Sequence, residues 1–244
     1  MNVKENHISY CDIMNNTGFC EIIYGPMKSG KTSRLLQLYK QFQFCEIPVM
    51  VINHCMDKRY SDTLLSSHDK LMIPCINTYT LTELVDVTKD LFYAVIVTGT
   101  GTSTDTSTDT GTGTDTDTGT CTDTGTCTGT GTHIQEFLKS QVILINEAQF
   151  FGDIVSWVTI AVEKYKKHVY VCGLNSDFRR KPFGTWLELE LICDKVTQLT
   201  SWCGFCKKRE ALFSHRISYE TDTIVIGSDN YIPVCRKCWL TVNP

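Results

Sequence analysis

The run Gly25-Pro26-Met27-Lys28-Ser29-Gly30-Lys31-Thr32 constrains this chain more than any other stretch. Its pattern, G-x-x-x-x-G-K-[ST], holds phosphate only between a strand and a helix. Both flanks are legible. Phe19 to Tyr24 is a short β-prone run, and beyond the loop Leu35, Leu38, Tyr39 and Phe42 recur on one helical face. In that setting the backbone N–H groups of the loop and the positive end of the helix hold phosphate oxygens. Lys31 then reaches the β/γ oxygens and Thr32 binds Mg²⁺.

Strands and helices continue to alternate, which points to a parallel α/β sheet flanked by helices. Pro48 to Asn53 and Leu71 to Ile76 read as strands, Leu81 to Asp90 as a helix capped by Thr80, and Tyr93 to Val97 as strand-like. Gln141 to Ile145 is a hydrophobic strand running into Asn146-Glu147-Ala148-Gln149-Phe150-Phe151. A helix follows, with Ile154, Val158, Ala161, Val162 and Tyr165 in register, then a strand over Val169 to Cys172 and a polar loop over Leu174 to Gly184. Of Tyr93–Val97 and Gln141–Ile145, adjacency to Glu147 favours the second for the sheet position leading to it. His54 and His68 read as polar loop residues.

One stretch breaks the pattern. Every even position from Thr98 to Thr132 is Thr, and the odd ones hold Gly, Ser, Asp or Cys. Alternation suits a strand, but neither face carries an apolar surface that repays ordering. Residues 98–133 are therefore expected to be a disordered insertion. Single-base changes of one Gly codon, GGC, give the Asp, Ser and Cys codons, so a drifted hexanucleotide microsatellite accounts for it. A Thr-rich tether is the alternative.

The chain's 244 residues carry a formal net charge of −4, an acidic balance that argues against the basic stripe of a nucleic-acid binder. No apolar run approaches a membrane span, and Met1 to Ile8 lacks the apolar core of a signal peptide. Thirteen cysteines are then expected in a reducing cytoplasm, where pairs imply metal before disulfide. Cys203-Gly204-Phe205-Cys206 and Cys235-Arg236-Lys237-Cys238 are two such C-x₂-C knuckles. Together they close a tetrahedral shell around a structural Zn²⁺ with no position left for water. Cys11, Cys20, Cys45, Cys55, Cys75, Cys172 and Cys193 are expected to be packing residues. The expected organisation is a flexible tail over 1–17, a nucleotide-binding α/β domain over 18–193, and a zinc-binding domain over 194–244.

Five blocks in this order resemble the zinc-containing (type II) thymidine kinases of animals, bacteria and large DNA viruses: residues 25–32, 57–60, 146–151, 178–184 and the knuckle-bearing tail. The resemblance covers nearly the whole chain outside the N-terminal tail and the Thr repeat. It implies a phosphate-loop NTPase-type sheet with a ribbon-plus-lasso zinc domain, and transfer of the ATP γ-phosphate to the thymidine 5′-hydroxyl. It assigns the ATP site to Gly25, Pro26, Met27, Lys28, Ser29, Gly30, Lys31, Thr32, Asp57, Lys58, Arg59, Asn146, Glu147, Ala148 and Gln149. Glu147 is its general base, as its place beyond a strand's C-terminal end also suggests. Thymidine falls to Phe178, Asp222, Thr223, Ile224, Val225, Ile226 and Tyr231, with Met27, Phe151, Phe183 and Ser214 walling the base pocket. The implied assembly is a homotetramer.

Two positions depart from the family pattern: Asn146 stands where such strands usually end in Asp, and Asn175 where Asp is frequent. Asn146 keeps an oxygen acceptor and loses a charge. The other readings of the same residues are a nucleic-acid-dependent ATPase with a zinc ribbon and a weakly active or non-catalytic copy of the kinase.

Overall fold

Runs of branched and aromatic residues become strands that alternate between the two faces of one sheet. A computed structural model describes residues 17–57, 64–66, 72–89, 91, 131–218 and 230–242. Its centre is a six-stranded parallel sheet. In chain order the strands are β1 (Phe19–Tyr24), β2 (Val49–His54), β5 (Ile76–Thr78), β6 (Val142–Ile145), β7 (His168–Gly173) and β8 (Lys195–Gln198). In space they run β5-β2-β6-β7-β1-β8, and every pairing is parallel. Gln141–Ile145 does supply the strand leading to Glu147, lying between β2 and β7.

The period-two alternation sorts the core into two layers. Cys20, Ile22, Met50, Ile52, Ile143, Ile145, Val169 and Val171 face one side. There they meet α2 (Leu81–Leu84), α3 (Gly131–Lys139) and α4 (Ile154–Glu163), with Phe137, Trp157 and Trp186 filling the gaps. Ile23, Val51, Val142, Leu144, Tyr170 and Cys172 face the other side and pack on α1 (Lys31–Phe44) through Leu35, Leu36, Leu38 and Phe42. At roughly 1.5–3 kcal/mol for each fully buried large apolar side chain, these two layers dominate the favourable side of folding.

Several expectations change in detail. The strand expected over 71–76 divides at Pro74, which has no N–H for a continuous ladder. Its first part, β4 (Met72–Pro74), pairs antiparallel with β3 (Leu64–Ser66), and its second part, β5, joins the sheet. The helix at 81 is capped as expected, Glu83 N–H donating to Thr80 Oγ1 at 3.2 Å, but it ends at Leu84. Order begins earlier than expected near the repeat: α3 includes Gly131, Thr132 and His133. Buried Phe137, with Ile134 and Leu138 packed beside it, anchors that helix. Extending a helix once anchored costs far less than starting one, so the last residues of the repeat are drawn in. Cys20 and Cys172 are buried in the two layers, but Cys45 is exposed.

β8 begins at Lys195, beyond the expected boundary at 193, yet pairs with β1, so the main sheet extends past that point. After it come two short antiparallel pairs, β9 (Ser201–Trp202) with β10 (Glu210–Ala211) and β11 (Phe213–Arg216) with β12 (Tyr231–Val234), then α5 (Arg236–Val242). They enclose a small third core of Cys203, Ala211, Val234 and Cys235. The tail 1–16, Lys58, Arg59, His68, the expected strand at 93–97, the repeat through 130 and the stretch Asp222–Ile226 lie outside the described residues. Among the described residues, no helix is long and apolar enough to cross a membrane.

Candidate active site and metal centre

The C-terminal ends of β1, β7, β6 and β2 lie side by side, and each leads into a segment singled out above. From β1 the chain turns through Gly25–Gly30 into α1. Gly30, the residue before the helix, has φ of 85°. That left-handed backbone suits glycine and starts the helix at Lys31. The Lys31 ammonium donates to the carbonyls of Gly25 (3.1 Å) and Pro26 (2.8 Å), which holds its charge over the loop. Ser29 Oγ is shielded from solvent and has no hydrogen-bond partner among the described residues. An orphaned hydroxyl there fits a phosphate oxygen as its missing partner.

Beyond β6, Glu147 adopts φ 56° and ψ 43°. A non-glycine residue in the left-handed region costs roughly 1–2 kcal/mol. The Gln149 amide helps to hold it there: Nε2 donates to Glu147 Oε2 at 2.6 Å, while Oε1 accepts from Leu174 N–H at 2.9 Å. The amide therefore bridges the carboxylate to the backbone just past β7. Gly173 makes room for this bridge, since a Cβ there would lie 2.8 Å from Gln149 Oε1 and 2.9 Å from the Trp186 ring. Gln149, expected at the nucleotide, also directs its amide to Glu147. Ala148 is fully buried between them.

Asn146 opens a chain of amides across three strand ends. Its Nδ2 donates to Asn53 Oδ1 at 2.9 Å, and Asn53 Nδ2 donates to Asn77 Oδ1 at 3.0 Å. Asn146 and Asn53 are both buried. With Nδ2 engaged, the other group that Asn146 can present is its carbonyl oxygen, the atom type a hard cation prefers.

The reading of His54 as a polar loop residue is corrected. It is the last residue of β2 and is buried, 4.7 Å from the Phe151 ring and 5.3 Å from Phe150. Burial lowers its pKa, against the partial opposition of the Tyr79 carbonyl and of Glu147. Met56 N–H donates to Nδ1, so Nε2 carries the proton toward Tyr79 O at 3.1 Å. The imidazole is a neutral strut beneath the Glu147 segment. Phe151, expected at the base pocket, is 1% exposed and packs on it. Asp57, close by, donates its N–H to His54 O at 2.9 Å.

The loop after β7 is organised by Asp177, whose Oδ1 accepts from Arg179 N–H and Lys181 N–H at 2.9 and 2.8 Å. It presents Phe178 to Arg216, whose guanidinium carbon lies 3.9 Å from the ring centroid. It also presents Arg180 to Trp239 at 3.6 Å. Phe183 meets Phe150 edge-on at 5.5 Å. Two bonds join the small β-rich region to the phosphate loop: Met27 N–H to Ser214 Oγ at 2.9 Å and Ser201 Oγ to Lys28 O at 3.0 Å.

The four knuckle thiols converge. Sγ atoms of Cys203, Cys206, Cys235 and Cys238 all lie within 4.8 Å of one another, and Cys206 Sγ is 3.9 Å from Cys235 Sγ. Tetrahedral zinc with Zn–S bonds of about 2.3 Å separates its sulfurs by roughly 3.8 Å, so the set fits that ion. Burial opposes ionisation of Cys203, but N–H groups of Cys206, Cys235 and Phe205 outweigh it and bring the thiol down to about 6. N–H donation from Cys238 lowers Cys235. Cys238 is pushed up to about 12 by burial and by its bonds to the other three sulfurs. Such a cluster cannot ionise fully alone, and a divalent cation relieves that repulsion.

The thymidine kinase family model matches residues 18–101 and 107–239. A thymidine kinase of fowlpox virus is 30% identical over 230 residues, which span 93% of this chain and 99% of that protein. Thymidine kinase a of Arabidopsis thaliana is 30% identical, across 92% of this chain and 76% of its own length. A thymidine kinase of Mesomycoplasma hyopneumoniae is 28% identical over 91% of this chain and 95% of its own.

Proposed function

The chain belongs to the thymidine kinase family, and from that premise we propose that it transfers the γ-phosphoryl group of ATP to the 5′-hydroxyl of thymidine, giving dTMP and ADP. One observation carries the reading: a phosphate loop and an oriented carboxylate flank the end of the same strand, β7. In this reading the N–H groups of residues 25–32 hold the triphosphate, with Lys31 on the β/γ oxygens. Mg²⁺ carried in with ATP neutralises charge on those oxygens. Thr32, Asp57 and the Asn146 carbonyl would hold it, with Lys58 and Arg59 beside the phosphates.

Glu147 takes the proton of the 5′-hydroxyl as that oxygen bonds to the γ-phosphorus. The bond from phosphorus to the β,γ-bridging oxygen breaks, and ADP leaves with the electron pair. Most of the acceleration then comes from positioning and charge stabilisation, with the base adding about 10²–10⁴-fold. Phe178, Asp222, Thr223, Ile224, Val225, Ile226 and Tyr231 hold the nucleoside. Cys203, Cys206, Cys235 and Cys238 would hold Zn²⁺, which would fasten the chain on either side of residues 207–234. The reading also carries a cytoplasmic location and a homotetramer, the latter by family resemblance and measurable by light scattering.

The deciding assay couples ADP formation to a panel of nucleosides with ATP and Mg²⁺. Equal yields of ADP and dTMP with thymidine are expected. ATP hydrolysis stimulated by DNA, with no nucleoside phosphorylated, would replace this reading with the ATPase one.

A further inference from the structure

The residues assigned to thymidine come from two separate stretches, Phe178 beyond β7 and positions 222–231, the last of which opens β12. One side chain that no motif marks touches both. Arg216 is buried. It ends β11, directly opposite Tyr231, which begins β12. Both its Nε (3.2 Å) and a terminal nitrogen donate to the Tyr231 hydroxyl oxygen, and its guanidinium carbon lies 5.1 Å from the Tyr231 ring centroid. The same guanidinium stacks on Phe178 at 3.9 Å, and Arg179 lies 4.8 Å from that ring.

Among the described residues the final rung of the hairpin is Ile217 N–H to Asn230 O at 3.0 Å, next to the Arg216–Tyr231 pair. A planar cation stacks on an aromatic face and donates in its own plane, which an ammonium cannot do at once. From this geometry we propose that Arg216 is a positioning residue for the nucleoside site, holding Phe178 and the Tyr231 end of the β11–β12 hairpin in fixed relation. The proposal rests on the thymidine reading given above.

The consequence is a split in kinetics. Arg216 meets Phe178 and Tyr231, both assigned to the nucleoside, whereas the phosphate loop is tied to the same hairpin through Ser214. Removing it loosens the nucleoside site and leaves the triphosphate site intact. Loss of a desolvated cation–π stack with its hydrogen bonds should raise the thymidine KM by about tenfold or more. The ATP KM should stay within about twofold of wild type. Tyr231→Phe keeps the ring and loses the hydroxyl, and so should raise the thymidine KM by a smaller factor.

The test uses the full chain with zinc content checked. R216M, R216K and Tyr231→Phe are compared with wild type for both KM values and for amide exchange at 177–181 and 230–234. The proposal expects R216M and R216K to behave alike, with thymidine KM raised, ATP KM and zinc content retained, and exchange faster in both segments. An unchanged thymidine KM in R216M, or rescue by R216K, would overturn it. So would a parallel rise in both KM values with loss of zinc, the mark of a merely structural role. If R216M does not fold, an unchanged thymidine KM in Tyr231→Phe overturns it alone. If wild type does not phosphorylate thymidine, the functional reading fails. Exchange then judges Arg216 without substrate, since protection unchanged in either segment refutes the link.

Discussion

Replacing Asn146 by Asp reverses a buried chain of hydrogen bonds. Asn146 Nδ2 now donates to Asn53 Oδ1 at 2.9 Å, and Asn53 Nδ2 to Asn77 Oδ1 at 3.0 Å. A carboxylate cannot donate, so two oxygens would face each other at a position only 2% exposed. The Asn53 amide must turn over to donate to the new carboxylate, and Asn77 must turn after it. Asn77 is half-buried on the outermost strand, so the end of the chain reaches water. The reversed chain gains a hydrogen bond to a charged group, about 1.5–3 kcal/mol. Against it stands the burial of a carboxylate, several kcal/mol even after relaxation. The net is a loss of roughly 1–3 kcal/mol without a divalent cation. At about 2–4 °C for each kcal/mol in a chain of this size, the melting temperature should fall by several degrees.

Mg²⁺ supplies the missing positive charge. Thermal melts of both proteins, with and without millimolar Mg²⁺ and an unreactive ATP analogue, should show the deficit shrinking when metal is present. The Mg²⁺ concentration for half-maximal rate should fall in the variant. Equal melting temperatures in both conditions, with an unchanged Mg²⁺ requirement, would refute the amide chain and the place of Asn146 beside the metal.

Glu147→Gln should lower kcat by about 10²–10⁴-fold with ATP still bound, and near-normal turnover would remove Glu147 as base. Purified protein should contain one zinc per chain; chelation should weaken thymidine binding before ATP binding, because Trp239, next to Cys238, carries the Arg180 contact. Burial lowers Lys167 from its ordinary 10.5 to about 8, so the unfolded chain binds more protons between those values. Stability should therefore climb through that pH window, and the stability difference between wild type and Lys167→Met should climb with it; a flat difference would contradict this. Replacing residues 99–130 by a short Gly/Ser linker should keep activity and change stability by about 1 kcal/mol at most, the logarithmic cost of loop length. Loss of soluble protein would show that the repeat contributes to folding.

Features whose physics is local are legible in the order of residues alone. Gly25 to Thr32 needs only its own spacing and flanks. The knuckles need only their own two-residue intervals and the chemistry of thiols. The uninterrupted apolar run through Met50, Val51 and Ile52 reads as a buried strand, and both of its faces are covered. The partnerships of polar groups far apart in the chain emerge only once the sheet is assembled. Asn146 meets Asn53 across 93 positions, and Gln149 meets Leu174 across 25. His54 reads as polar until the ends of β2 and β6 bring Phe150 and Phe151 around it. Arg216 carries no motif, because its role depends on Phe178 arriving from another loop. Periodicity and spacing report which face of an element is buried, since burial is set by the element's own geometry. They do not report which distant donor meets which acceptor, since that follows from strand order and register once the sheet has formed.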